Sequence, residues 1–218
     1  MKRSEVRWAI VVPIKRLTVA KTRLAERADV RADLALAMAV DTVAAARAAT
    51  LVDTVVVVTD EPSAQREMTR LGAVVVADTP DAGLNPALRH GAQAAATGPI
   101  AVAVAALSSD LPALRGADLD GVLAGAAGHR RCVVTDAAGT GTTLLTALHV
   151  EDFDPRFGEA SRRAHVDAGA YDLTPSASAS VRRDVDTVED LQAAVEIGVG
   201  PATAAALRRH PLWVPVDS

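Results

Sequence analysis

Apolar residues fall along this chain in short unbroken runs, separated by stretches with helical spacing. Trp8 to Ile14, Val52 to Thr59, Ala73 to Ala77, Ile100 to Leu107 and Arg131 to Thr135 are rich in Val and Ala with little polar alternation, the pattern of strands buried on both faces. Helices are predicted between them: Val30 to Ala49, with Leu34, Met38, Asp41 and Ala45 at helical spacing; Pro62 to Leu71; Asn85 to Ala96, with Pro86 in its first turn; and Ala117 to Ala126. A further apolar run covers Thr142 to Leu148. The alternation predicts an α/β fold, a mostly parallel sheet with helices on both faces.

The rhythm breaks from His149 to Ser180, a polar segment containing Phe157, Gly158, Gly169 and Pro175. Loops of that length are usually functional or disordered, so this one is expected to order over an acidic ligand through Ser161 and the amides near Gly158. Val181 to Val185 reads as a short strand. Thr187 reads as the cap of a helix running to about Ile197, and Gly198 to Pro201 as the stop before a last helix ending near Arg209. No Pro/Gly/Ser-rich linker interrupts the pattern, so one domain is expected over 1–218, with its core at about 8–209 and short terminal tails.

Composition narrows the function. Half of the residues are hydrophobic, yet the only aromatics are Trp8, Phe153, Phe157, Tyr171 and Trp213, so Val, Leu and Ala must pack the core and no base-stacking platform is available. A net charge of -4 removes any general pull toward a polyanion, which argues against a nucleic-acid partner. Cys132 is the sole cysteine, so an intrachain disulfide and a cysteine-rich zinc site are both excluded; beside Val133 and Val134 it reads as a buried strand residue. Neither a membrane-spanning apolar stretch nor a signal peptide is recognisable, so a cytoplasmic protein with no membrane partner is expected.

The candidate chemistry sits at the ends of the apolar runs. Asp110 follows Ile100 to Leu107, and Asp184 and Asp186 follow the later run. A carboxylate just past a buried parallel strand lies where open α/β sheets place their ligands. On a strand Asp184 and Asp186 share a face, and two such charges raise each other's pKa unless a cation neutralises them. The plainer alternatives are an N-cap of the following turn for Asp110, and for the pair, pairing with Arg182 or Arg183 plus capping of the helix after Thr187. Lys15, Arg16, Lys21 and Arg23 follow the first strand, where cations can hold phosphates; the loop has neither the dinucleotide glycine fingerprint nor a Gly-Lys-Ser/Thr phosphate loop. Asp136 to Thr143 is a tight turn, either a plain hairpin or a set of hydroxyls and amides for phosphate oxygens. The five histidines show no metal-ligand spacing and no nucleophile elbow is present, which removes zinc and serine hydrolases; His165 reads as a surface residue. Together these features point to metal-assisted phosphate transfer on a nucleotide.

Taken in order, Pro13-Ile14-Lys15 with Ala20-Lys21-Thr22-Arg23-Leu24, Gly83-Leu84-Asn85-Pro86-Ala87-Leu88, Asp110-Leu111-Pro112, Gly139-Thr140-Gly141-Thr142, Phe157-Gly158 with Ser161 and His165, and Asp184-Val185-Asp186-Thr187 carry a resemblance. Over residues 9 to about 209 the chain resembles the guanylyltransferases of coenzyme F-420 biosynthesis, whose actinobacterial members use phosphoenolpyruvate and whose archaeal members use 2-phospho-L-lactate. The resemblance implies a nucleotidyltransferase-like, Rossmann-like three-layer fold. It also implies Asp110, Asp184 and Asp186 as catalytic residues holding one or two Mg²⁺ ions, Thr142, Gly158 and Ser161 on phosphoenolpyruvate, and Lys15, Lys21, Arg23 and Asn85 on GTP. The implied products are enolpyruvyl-diphospho-5'-guanosine, passed to the enzyme that builds the deazaflavin coenzyme, and pyrophosphate. Ser109 departs from the glycine often found there in the family. Two rivals are nucleotide transfer to a sugar phosphate or molybdopterin, against which the first loop has no Gly-rich turn, and a non-catalytic nucleotide-binding regulatory domain, against which stand the three aspartates.

Overall fold

The computed structural model describes residues 6–15, 24, 27–79, 81–97 and 103–210; Arg16, Lys21 and Arg23, and the start of the strand expected from Ile100, lie outside them. Its seven strands are β1 (Trp8–Pro13), β2 (Val52–Val58), β3 (Val74–Val76), β4 (Ala103–Leu107), β5 (Arg131–Thr135), β6 (Thr142–Ala147) and β7 (Tyr171–Asp172), joined in one sheet of order β3-β2-β1-β4-β6-β5-β7. β1 pairs in parallel with β2 and β4, β2 with β3, and β5 with β7. β6 alone runs antiparallel, against both β4 and β5, because a short turn joins it to β5 where a parallel partner would need a crossover.

Helices α1 (Ala28–Ala48), α2 (Pro62–Arg70), α3 (Leu84–Ala96) and α4 (Gly116–Ala126) cover the two faces. The period of two along each strand assigns the sides. Ile10, Val12, Val55 and Val57 pack with Ala39 and Val43 of α1, Met68 of α2 and Leu123 of α4. Val11, Val58, Val104 and Ala106 point the other way, onto Ala87, Leu88 and Ala92 of α3. Gly91 lets α3 lie flush on the sheet, since a Cβ there would stand 2.5 Å from Val11 Cγ1 and 2.7 Å from Val58 Cγ2. Gly91→Ala is therefore expected to destabilise the protein by about 1–3 kcal/mol through overpacking. A denaturant midpoint unchanged from wild type would show that α3 can lift away without cost.

The chain ends in α5 (Ser161–Asp167), α6 (Ala179–Arg182), α7 (Val188–Ile197) and α8 (Pro201–Arg209). α7 and α8 cover the outer side of α1, where Leu191, Ala194 and Ala206 meet Leu34, Ala37 and Met38. Wedged between sheet and outer helices, α1 is buried on several sides, and the one acid on its inner positions, Asp41, is 6% exposed. Its carboxylate accepts hydrogen bonds from Ala202 N at 3.0 Å and Thr203 N at 2.7 Å, so it caps α8 from another helix.

Two expectations fail here. Val181 to Val185 is not a strand: α6 occupies its first half and irregular chain the second. Val181 and Val185 are four residues apart, which is helical spacing, and they feed two different core clusters. Nor is 149–180 a loose polar loop. It holds 3-10 turns at Val150–Asp152 and Thr174–Ser176, helix α5 and strand β7, with Phe153, His165 and Leu173 buried. Elements this short cannot display a period in sequence. Among the described residues no helix is long and apolar enough to cross a membrane.

Candidate active site

The C-terminal ends of β1, β4 and β5 share one edge of the sheet, and antiparallel β6 begins there. Chain order reverses between β1 and β4, the switch point at which open α/β sheets leave a ligand crevice. A cleft of about 620 Å³ opens along this edge, lined by Leu84, Ser108, Asp136, Thr140 to Thr142, Phe157 to Ser161, Asp184 and Asp186.

Backbone hydrogen bonds stitch the acids together. Ser108 N donates to Thr143 O at 2.9 Å, and Val185 N donates to Asp110 O at 3.1 Å, drawing the 183–187 segment against the end of β4. Thr42 of α1 brackets Asp110: its Oγ1, which donates to Met38 O at 2.8 Å, lies 3.2 Å from Ser109 O and accepts from Leu111 N at 3.1 Å. Arg182 ties the same segment to β5 by donating to Thr135 O at 3.2 Å and Asp136 O at 3.0 Å. Burial, and then the carboxylates of Asp110, Asp136 and Asp186, push the pKa of Asp184 up to about 7. For the Asp184 and Asp186 pair the capping alternative does not hold, since Thr187 and Asp190 form the capping box of α7.

Asp136 belongs to this acidic group although the sequence did not single it out. Its carboxylate accepts from Thr140 N at 3.0 Å and Gly141 N at 2.8 Å, closing the β5–β6 turn. A Cβ at Gly141 would lie 2.3 Å from Asp136 Oδ2, so a side chain there would displace the carboxylate that closes the turn. Asp-x-x-Gly turns are common in sequences, which hid its position beside Asp184.

In the same cleft, α5 backs onto the start of β6. Thr142 Oγ1 lies 3.0 Å from His165 Nδ1, Ser161 Oγ donates to Thr142 Oγ1 at 3.1 Å, and Arg156 N donates to His165 Nε2 at 2.9 Å. All three side chains are buried, which corrects the expectation of a surface His165. Gly158, at φ 132, stands at the mouth of the cleft in a conformation that favours glycine.

The structure brings Asp184, Asp186, Thr142, Gly158 and Ser161 to the cleft wall, with Asp110 beside Asp184. Asn85 is used differently from the expectation: its amide nitrogen donates to Phe157 O at 3.0 Å and its oxygen accepts from Phe157 N at 2.8 Å, which anchors the Phe157 wall. Lys15 is ion-paired with Asp78, with Asp81 at 3.9 Å, on the β3 side of the edge. Lys21 and Arg23 lie outside the described residues.

His165 gives a stability signature. Burial above all, reinforced by Arg156 and Arg131 against the pull of Asp154, lowers its pKa to about 4. Between pH of about 6.5 and 4 the unfolded chain then binds a proton that the folded one does not, so stability falls as pH drops through that window. Melting temperatures of wild type and His165→Asn are expected to converge toward pH of about 4; parallel curves would show that His165 titrates normally.

A parallel sheet with a ligand crevice at its switch point and acids gathered beside the crevice is the architecture of a nucleotide-handling α/β enzyme. In fold the chain is similar to a Desulfovibrio desulfuricans structure provisionally described as a nucleotide-diphospho-sugar transferase, with TM-score 0.68, 18% identity, and 95% and 96% of the two chains covered. Over residues 8–216 it matches the family described as "Guanylyl transferase CofC like", and it belongs to that family. Two relatives named phosphoenolpyruvate guanylyltransferase come from Thermomonospora curvata and Streptomyces scabiei. The first is 50% identical over 97% of this chain and 93% of its own, the second 52% identical over 94% and 97%.

Proposed function

We propose that this protein is a phosphoenolpyruvate guanylyltransferase of coenzyme F-420 biosynthesis, joining phosphoenolpyruvate to the GMP moiety of GTP with release of pyrophosphate. The observation that carries the reading is one cleft lined both by Asp136, Asp184 and Asp186 and by Thr142 and Ser161. The names carried by relatives about half identical over nearly the whole chain support it.

The acids fit a divalent cation. Among the described residues no three His, Cys, Asp or Glu side chains are grouped so as to hold a metal by themselves. That suits Mg²⁺, which commonly takes one or two carboxylates plus substrate phosphates. One or two of Asp110, Asp184 and Asp186 would hold it together with substrate phosphate oxygens, and an Asp184 raised to about 7 by burial and like charge is the group a cation would relieve most. When bound, the ion supplies charge neutralisation and polarises the phosphoryl oxygens. Lys15, Lys21 and Arg23 belong on the triphosphate in this reading, while Asn85 acts indirectly by fixing Phe157.

Thr142 and the backbone at Gly158 hold the acid substrate with its phosphate toward the acids, and Ser161 supports Thr142 by donating to its Oγ1. A phosphate oxygen of that substrate attacks the α-phosphorus of GTP, and the bond to the β-phosphate bridge breaks in line, releasing pyrophosphate. Screening and alignment of two anions are the main tasks, and no covalent enzyme intermediate is needed. We place the enzyme in the cytoplasm, without nucleic-acid or membrane partners, handing its product to the deazaflavin-transferring enzyme. Its one thiol is consistent with this: burial raises Cys132 to about 11, which keeps it unreactive.

The test incubates the protein and Mg²⁺ with GTP and either phosphoenolpyruvate or 2-phospholactate, reading pyrophosphate and the joined product by mass. Product from phosphoenolpyruvate is expected. Product from 2-phospholactate alone would move the acid specificity, and no product from either would overturn the reading.

A further inference from the structure

The order of hydrogen bonds around Thr142 fixes what its hydroxyl can do. Arg156 N–H donates to His165 Nε2 at 2.9 Å, and a ring nitrogen that accepts carries no proton. Burial holds His165 at a pKa of about 4, so the ring is neutral and its single proton resides on Nδ1. Nδ1 faces Thr142 Oγ1 at 3.0 Å and therefore donates to it, while Ser161 Oγ donates to the same oxygen at 3.1 Å. Both lone pairs of Thr142 Oγ1 are then filled. Its own hydrogen has no acceptor among the described residues, and the residue lines the cleft.

We propose that His165 is a positioning residue whose Nδ1–H tautomer turns Thr142 into an obligate hydrogen-bond donor, so that this end of the cleft selects an ionised phosphate or carboxylate oxygen of the acid substrate. The inference rests on the guanylyltransferase reading for the identity of that substrate. An unconstrained threonine hydroxyl both donates and accepts, and rotates freely; this one is preorganised in a single role before the ligand arrives. The wiring also explains a buried histidine where any apolar side chain would pack more simply: only a neutral imidazole accepts from Arg156 N on one nitrogen and donates to Thr142 on the other.

Two substitutions separate positioning from packing. The amide nitrogen of His165→Asn replaces the Nδ1 donor to Thr142, whereas the amide oxygen of His165→Gln replaces the Nε2 acceptor for Arg156 N and leaves Thr142 without its donor. With phosphoenolpyruvate and GTP as substrates, His165→Gln is expected to raise KM for phosphoenolpyruvate about tenfold, the cost of one mispositioned donor to an anion, with KM for GTP within about twofold. His165→Asn is expected to recover most of that loss. Equal effects of the two variants, or equal effects on both Michaelis constants, would overturn the proposal, because a packing role has no reason to prefer Asn or to distinguish the substrates.

A second measurement needs neither activity nor the variants to fold. With ¹⁵N-labelled histidine, the ligand-free wild-type protein is expected to show His165 protonated on Nδ1 only, and protonation on Nε2 would overturn the proposal. If the wild type makes no product from phosphoenolpyruvate, the functional reading falls. The proposal is then decided by the tautomer and by inorganic phosphate titrated onto wild type and His165→Gln, with weaker binding expected in the variant and equal binding overturning it.

Discussion

Asp184→Asn is expected to abolish guanylyl transfer and, in the ligand-free protein, to raise the melting temperature. The catalytic loss follows from removing a carboxylate from the cleft wall where the cation and triphosphate would meet, and should reach about a thousandfold, or roughly 4 kcal/mol of barrier. Asp110→Asn should lose activity to a similar degree with its fold intact, since the Asp110 backbone that holds Val185 is untouched. Activity retained within about tenfold in either variant would remove that residue from the chemistry. The gain in stability has an electrostatic source: burial and the charges of Asp110, Asp136 and Asp186 hold Asp184 at about 7, above the value of about 3.9 that it has in an unfolded chain. In that window the folded protein binds the extra proton, so Asp184 favours folding at low pH and loses that contribution as pH rises toward 7. Asn never ionises. After allowance for solvent screening the difference at pH of about 8 is on the order of 1 kcal/mol, or about 2–4 °C, vanishing near pH of about 4. A variant no more stable than wild type at the higher pH would show that like charge and burial do not destabilise ionised Asp184 in the folded protein.

Asp41→Ala is expected to be the most damaging single change away from the cleft, costing about 3 kcal/mol and lowering the melting temperature by about 6–12 °C. The substitution orphans the Ala202 and Thr203 amides at the start of α8 and removes the link that clamps α8 to α1. Asn at this position keeps an oxygen for one amide and should recover part of the loss. Gly200 provides an independent check, because a Cβ there would stand 2.4 Å from the Asp41 carboxyl. Gly200→Ala should destabilise the wild type but cost much less in the Asp41→Ala background, where the clash is gone. Strict additivity of the two in thermal or denaturant unfolding would show that the contact carries no energy.

The central strands were legible in sequence as short unbroken apolar runs, and the first four helices by their length and their start and stop signals. Val55 to Val58 reads as a doubly buried strand wherever it is placed, and Pro62 and Pro86 mark helix starts by local chemistry alone. Asp110 was legible for a related reason, since an acid directly after a buried apolar run has few other places to go. Asp184 and Asp186 were found on a mistaken premise. They lie in irregular chain, and what gathers them is Val185 N on Asp110 O and Arg182 on the end of β5.

By itself, then, the sequence determined the α/β class, the parallel core and the types of group available for chemistry, because these follow from burial patterns and residue chemistry within one segment. Tertiary structure alone decided that β6 lies between β4 and β5 and brings Thr142 to the acid edge, that Asp136 joins Asp184, that Asn85 braces Phe157, and that His165 is buried between Thr142 and Arg156. Each of these depends on partners distant in sequence or on elements too short to show a period. Asp41 makes the same point outside the cleft: an acid on an apolar helical stripe acquires its reason only when α8, whose capped amides lie 161 and 162 residues further along, arrives to be capped.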